Sequence, residues 1–197
     1  MLAEALRRKH LERGTRVLDL CTGSGALAVT AAKAGAGEVV AADVSRRALW
    51  TARCNALLNG VRIRTARGDL FDAVGPERFD LIVSNPPYVP GDLPARGARR
   101  AWEAGREGRA FLDRVCDGAA EHLRPGGTIL LVHSSVCDEE RTLGMLREHG
   151  LRAAVLARRH GPLGPLLSAR APELEAEGVL APGERSEEVL VVAGRAA

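Results

Sequence analysis

Along the chain, short apolar runs alternate with longer stretches of helical period. Val17-Leu18-Asp19-Leu20, Glu38-Val39-Val40-Ala41-Ala42, Val61 to Ala66, Phe79-Asp80-Leu81-Ile82-Val83-Ser84 and Thr128-Ile129-Leu130-Leu131-Val132-His133 read as strands. Each is brief, apolar and bounded by turn residues, the signature of buried strands. Between them the spacing predicts helices over Ala26 to Ala34, Ser45 to Leu58, Arg109 to Leu123 and Asp138 to His149. Arg152 to Ala157 and Glu188 to Val192 are expected to close the fold as an antiparallel pair, and Met1 to Glu12 reads as one short amphipathic helix. Alternating strands and helices imply a mostly parallel sheet with helices on both faces. The expected fold class is therefore α/β: a doubly wound seven-stranded sheet, antiparallel at its C-terminal strand. Residues 1–197 form one domain, with 1–13 as an N-terminal helical segment and 158–187 as an insertion before the last strand.

In a parallel sheet the carboxyl ends of the strands line one crevice, where open α/β sheets bind ligands. This chain puts chemistry there. Its first strand runs into Cys21-Thr22-Gly23-Ser24-Gly25, and glycines there permit a tight turn and close approach of backbone to a ligand. Gly23-x-Gly25-x-x-Ala28 also matches a dinucleotide fingerprint, with Asp43 18 residues beyond Gly25. Asp19 separates the two readings. A carboxylate at the tip of the first strand repels a pyrophosphate and suits a ligand carrying an ammonium and a sulfonium, such as S-adenosylmethionine. Asp43 ends the second strand, where a carboxylate accepts hydrogen bonds from ribose hydroxyls, and Asp69 follows the third, within reach of an adenine amino group.

The fourth strand ends in Asn85-Pro86-Pro87-Tyr88. Asn85 offers a carbonyl acceptor and an NH2 donor on one short stem. Pro86 and Pro87 fix φ and lack N–H groups, which holds the local carbonyls in place. Tyr88, the single tyrosine of the chain, supplies a face on which a flat group can stack. The tetrapeptide suits presentation of a planar NH group to a methyl donor.

With Asp-Leu-x-Thr-Gly-Ser-Gly, Asp43, Gly-Asp-Leu-Phe and Asn-Pro-Pro-Tyr-Val-Pro in order between about Gly14 and His133, the chain resembles class I S-adenosylmethionine-dependent methyltransferases of the HemK type. These enzymes methylate a glutamine side-chain amide in peptide-chain release factors. The 101–109 segment, Ala-Trp-Glu-Ala-Gly-Arg-Glu-Gly-Arg, is similar to the stretch after that motif in short members, which lack a substrate-recognition domain and use a small zinc-binding activator subunit. The resemblance implies a Rossmann-like methyltransferase fold. It also implies S-adenosylmethionine bound by Asp19, Cys21, Gly23, Gly25, Asp43, Val44, Asp69, Leu70 and Asn85, and an acceptor held by Asn85, Pro86, Pro87 and Tyr88. Cys21 departs from the pattern, replacing the usual first glycine of the loop. Because adenine and guanine amino-methylases share the motif, a nucleobase in RNA or DNA stands as an alternative acceptor, as does a small-molecule amine; a non-catalytic adapter is a further alternative.

Composition narrows the picture modestly. At 197 residues and 46% hydrophobic, the chain can bury a core without disulfides or metal. Cys21, Cys54, Cys116 and Cys137 form no close pair, and the five histidines lack metal-ligand spacing; His133 ends a strand at the active-site edge. No stretch suits a membrane span or a secretory signal, so a cytoplasmic location is expected. The net charge of +3 is mild, but Arg96, Arg99, Arg100, Arg106 and Arg109 cluster after the Asn-Pro-Pro-Tyr motif, where they can meet RNA phosphates or an acidic protein substrate. Aromatic residues at 3% leave few platforms for splayed bases. The insertion at 158–187 reads as a mobile loop or as a short helix over Pro172 to Glu177 on a linker; a passive insertion is expected, with a lid over the acceptor site as the other possibility.

Overall fold

The computed structural model describes residues 1–8, 11–93 and 98–197. Its sheet has the order β3-β2-β1-β4-β5-β7-β6. The strands are β1 (Arg16–Leu20), β2 (Glu38–Asp43), β3 (Arg64–Arg67), β4 (Phe79–Ser84), β5 (Leu123–Ser134), β6 (Arg152–Pro162) and β7 (Ser186–Arg195). The first five run parallel, and β7 pairs antiparallel with both β5 and β6. The order reverses between β1 and β4, whose register sets Asp19 beside Val83 and Leu20 beside Ser84. A crevice opens at such a reversal, and here the glycine turn and Asn85 leave the two strands side by side.

The helices are α1 (Leu2–Arg8), α2 (Ala26–Lys33), α3 (Arg46–Leu58), α4 (Ala110–His122), α5 (Glu139–Glu148) and α6 (Pro165–Ala176). Successive side chains of a strand point to opposite faces, and the core divides accordingly. Leu18, Leu20, Ile82, Ile129 and Leu131 pack against Leu112, Val115 and Leu146 of α4 and α5. Val17, Val39, Leu81 and Val83 pack on the other face against Leu2, Leu6, Ala28 and Ala31 of α1 and α2. Each fully buried leucine of this kind contributes about 1.5–3 kcal/mol relative to an exposed one.

The capping chemistry explains where helices begin. Ser45 caps α3, its side chain accepting from the Ala48 amide at 3.3 Å, and Asp138 caps α5 through the Arg141 amide at 3.0 Å. Gly25 at the start of α2 has no side chain to do this; its cap comes from Asp19, one strand earlier.

Three sequence expectations are revised. β3 begins at Arg64, not Val61, and α1 is shorter than Met1 to Glu12. The insertion is structured: 158–162 extend β6, 186–187 begin β7, and between them α6 runs from Pro165. Pro172, read as a helix start, lies inside α6, and the start is Pro165, where a missing N–H costs nothing. Leu167, Ala171 and Leu174 of α6 form a third small core with Val89, Leu163 and Leu180, against which Trp102 packs.

Candidate active site

At the β1/β4 reversal lies a cavity of about 800 Å³, within the usual range for small-molecule sites. Cys21 and Gly23 of the first turn, Asp43 and Val44 after β2, Asp69 and Leu70 after β3, and Asn85 and Pro87 after β4 all line it. The structure thus gathers most of the expected site residues around one space. Asp19, Gly25, Pro86 and Tyr88 are not among its lining residues.

Asp19 is buried at 1% exposure, and one of its oxygens accepts from the Thr22 hydroxyl at 2.6 Å and the Ala28 amide at 2.8 Å. Ala28 is the third residue of α2, the position whose N–H an N-cap side chain usually satisfies. A carboxylate from β1 therefore caps α2 and clamps the turn. Burial pushes its pKa from 3.8 up to about 7, against the pull of those two hydrogen bonds. Gly25 holds φ 79°, and a Cβ there would sit 2.7 Å from Ala52 Cβ and 2.8 Å from Ala52 Cα, so this residue both turns the chain and lets α3 approach α2.

Asp43 accepts from the Gly23 amide at 3.0 Å and the Ser45 amide at 2.8 Å, which ties the first turn to the second. Its remaining lone pairs stay available to the cavity. Asp69 faces the same space while pairing with Arg114 at 3.0 Å. Leu20, Ala42, Val44, Leu70 and Phe111 supply apolar wall. The amides of Thr22, Gly23 and Gly25 already donate to Ala42, Asp43 and Thr22. A pyrophosphate would thus find these donors spent and two carboxylates facing it, whereas ribose hydroxyls, an adenine amino group and an ammonium are donors that those carboxylates can accept. The residues present fit S-adenosylmethionine.

Cys21 adopts φ 60°, a left-handed conformation that costs a non-glycine residue on the order of 1–3 kcal/mol. Its thiol is pushed up to about 12, first by burial and then by the negative charges of Asp43, Asp19 and Asp69, and it stays protonated.

Asn85 is exposed and Pro86 buried. Among the described residues, no hydrogen bond engages the Asn85 side chain or the Pro86 carbonyl. The Pro86 carbonyl therefore adjoins, in the chain, a side-chain amide that is free at the cavity. Tyr88 packs into the protein core. Its half-buried ring packs against both main cores, burial raising its hydroxyl pKa, and Trp102 rather than Tyr88 lines the cavity. Trp102 is held there by a short parallel bridge, in which the Val89 amide donates to the Trp102 carbonyl at 2.7 Å and the Ala104 amide donates to the Val89 carbonyl at 2.9 Å. Gly108 fits beneath: a Cβ there would collide with the Tyr88 carbonyl and lie 2.9 Å from Cys137 Sγ.

Sequence reasoning missed Arg47, Arg67, Trp102 and Phe111 as cavity residues. Only Trp102 carried a signal, as an isolated aromatic in the segment after the Asn-Pro-Pro-Tyr motif. Of the arginine cluster, Arg109 is turned inward, Arg99 and Arg106 stay exposed beside acids, and the Arg100 side chain lies outside those described. Arg109 is buried at 3% exposure and bonds Asp113, Thr142 and the carbonyls of Cys137 and Asp138. Arg99 is within 4 Å of Asp92 and Glu103, Arg106 is 4.0 Å from Glu177, and Arg96, like His10, lies outside the described residues. His133 is fully buried, its Nδ1 2.8 Å from the Ser134 carbonyl oxygen, and does not line the cavity. Among the described residues there is no metal-binding cluster, and the cysteines are free. No helix among them is long and apolar enough to cross a membrane.

Comparison with known proteins gives a consistent picture. The family model described as methyltransferase small domain matches residues 1–161. A putative protein N5-glutamine methyltransferase of Methanocaldococcus jannaschii is 32% identical over 154 residues, covering 77% of this chain and 78% of that protein. The release factor glutamine methyltransferase of Bordetella pertussis is 43% identical over 148 residues, and the match spans 70% of this chain but only 54% of that enzyme. Among solved structures, the E. cuniculi Mtq2–Trm112 complex, responsible for methylation of the eRF1 translation termination factor, aligns with a TM-score of 0.69 and 26% identity, covering 100% of this chain and 93% of that one.

Proposed function

Because the chain belongs to the methyltransferase small domain family and takes its methyl group from S-adenosylmethionine, we propose that it methylates the side-chain amide nitrogen of a glutamine in a protein such as a peptide-chain release factor. The observation that carries this reading is the pair of unpartnered acceptors on adjacent residues, Asn85 Oδ1 at the cavity and the Pro86 carbonyl next to it in the chain, with Asp43 and Asp69 lining the same cavity. A primary amide has two N–H donors in one plane, matching two acceptors held by adjacent residues. A close archaeal relative and a structural neighbour of full-chain coverage act, by their names, on protein glutamine and on a termination factor.

Asp43 and Asp69 would accept from the cofactor's donors, Gly23 would let it approach the backbone, and Val44 and Leu70 would give it apolar contact. When bound, S-adenosylmethionine supplies a methyl group on a positively charged sulfur, already activated toward a nucleophile. Asn85 and Pro86 then fix the plane of the acceptor amide and turn its nitrogen toward the donor, which is catalysis by orientation. As positive charge grows on that nitrogen, the same two oxygens accept more strongly, so they stabilise the transition state more than the ground state. Trp102 gives the acceptor an aromatic wall.

A small partner subunit belongs to this reading. The Mtq2 neighbour is a two-protein complex, and α3 carries Trp50, Leu57 and Leu58 at 70%, 80% and 83% exposure. Spaced seven and eight residues from Trp50, the leucines share its side of the helix. Such an apolar stripe supports the reading of a partner-covered surface.

The test is methylation of purified release factor with labelled S-adenosylmethionine, followed by peptide mass spectrometry. The reading requires one added methyl on a glutamine amide. Label found on co-purifying nucleic acid, and none on protein with or without a co-expressed partner subunit, would sink it.

A further inference from the structure

We infer that Arg170 is a positioning residue for the acceptor turn: from α6, it holds the Asn85–Pro90 stretch in the attitude that presents Asn85 and Pro86 to the acceptor. This rests on the acceptor site proposed above and adds to it the element that sets its geometry.

The Arg170 Nη1 donates to the Pro90 carbonyl, across 80 residues of chain, and its Nε pairs with Glu173 at 3.1 Å. Pro90 is buried, and the arginine side chain is 29% exposed. A guanidinium-to-carbonyl bond in such a setting is charge-assisted and directional. The neighbouring Gly91 shows how tightly the seat is built. A Cβ on Gly91 would collide with Arg170 Nη1 and come within 3.0 Å of Glu103 Cγ, while the Gly91 backbone has no left-handed φ that would demand glycine. The glycine is there for room, and the room is filled by the guanidinium.

The same helix reaches the other wall of the site. Leu167, Ala171 and Leu174 share a core with Val89, and Trp102 packs onto it. On the far side, Gly91 donates to the Gly105 carbonyl at 2.9 Å and Cys137 Sγ lies 3.0 Å from the Tyr88 carbonyl. The prolines fix their own φ angles but not the torsions at Tyr88 and Val89. Those are fixed by what grips the turn from outside, and Arg170 is the charged group in that grip. Misplacing a substrate-orienting element by ~1 Å costs as much as about 100-fold in rate.

Three variants of the full chain test this: Arg170→Met, which keeps the aliphatic stem, Arg170→Lys, which restores one donor, and Gly91→Ala, which crowds the guanidinium from its seat while leaving Arg170 itself in the sequence. Arg170→Met and Gly91→Ala are each expected to lower turnover about tenfold at saturating substrate while cofactor affinity stays within about twofold. The double variant should be no worse than either alone, because both remove one contact, and Arg170→Lys should recover part of the loss. Hydrogen exchange gives a readout independent of the acceptor's identity: Arg170→Met should speed exchange at the amides of Val89, Gly91 and Ala104 and leave those of Gly23 and Gly25 unchanged. Unchanged exchange at the turn, additive losses in the double variant, or a matching loss of cofactor affinity would each overturn the inference. A wild-type protein that leaves glutamine unmethylated would count against the acceptor reading alone, since the exchange result decides the role of Arg170 either way.

Discussion

On the acid-lined side of the cavity, the contacts that shape the first turn span 3 residues from Thr22 to Asp19, 9 from Ala28 to Asp19 and 20 from Gly23 to Asp43, while the Asp69–Arg114 pair reaches further. On the Asn85 side they span 49 residues from Cys137 to Tyr88 and 80 from Arg170 to Pro90. The first side is a strand, a turn and a helix start that brace one another locally. The second exists only once β5, α5 and α6 have docked around the Asn-Pro-Pro-Tyr turn. Long-range closure costs more entropy than local closure, so the two sides should fail differently. Damage to the acid side should appear in folding and cofactor affinity, and damage to the Asn85 side in turnover.

The most severe challenge to this division is Gly25→Val. A side chain there meets the Ala52 backbone and must also adopt φ 79°, so the α2–α3 packing has to open. The expected loss is about 3 kcal/mol or more of stability, read by urea denaturation. A variant of near wild-type stability would show the acid side to be more pliant than its contacts imply. Next comes Asp43→Ala, which removes the acceptor shared by Gly23 and Ser45. Cofactor affinity should fall roughly 10- to 100-fold by calorimetry, with turnover at saturation changed less than about threefold.

A smaller effect concerns pH. Asp19 carries a pKa raised from 3.8 to about 7 by burial, so the folded protein binds a proton there that the unfolded chain has released. This favours folding below pH 4 and is lost as pH rises toward 7, at up to about 1.4 kcal/mol per pH unit. Asp19→Asn should therefore remove a downward slope in stability between those limits, measured as the difference between the two proteins' denaturation midpoints across pH. Parallel profiles would mean that Asp19 stays ionised. The smallest effect belongs to Cys21→Gly: releasing the left-handed strain at φ 60° should raise stability by about 1 kcal/mol or less, partly offset by lost burial.

The same contrast explains what could be read in the sequence. The seven strands, α2 to α5 and the glycine turn were legible because periodicity and turn residues are local signals. Asp43, Asp69 and Asn85 could be placed because strand ends in a parallel sheet share one edge. Asp19 was visible as an acid near the end of the first strand, but its direction was not: whether it faces the cavity or caps α2 depends on Ala28 approaching from the next helix. Tyr88 and Trp102 exchanged parts for a similar reason. Which aromatic lines the cavity is decided by the Val89–Trp102 bridge, a pairing with no sequence signature. The insertion was misjudged because charge and proline content suggest a loop, while the stripe Leu167-Ala171-Leu174 gains meaning only beside Val89 and Trp102.

The claim that the two sides act separately is tested most directly at Asn85, whose side chain has no hydrogen-bond partner among the described residues. Asn85→Ala should bind S-adenosylmethionine within about twofold of the wild-type affinity by calorimetry, yet turn over roughly 100-fold more slowly or worse. Parallel losses of affinity and rate in that variant would contradict the account.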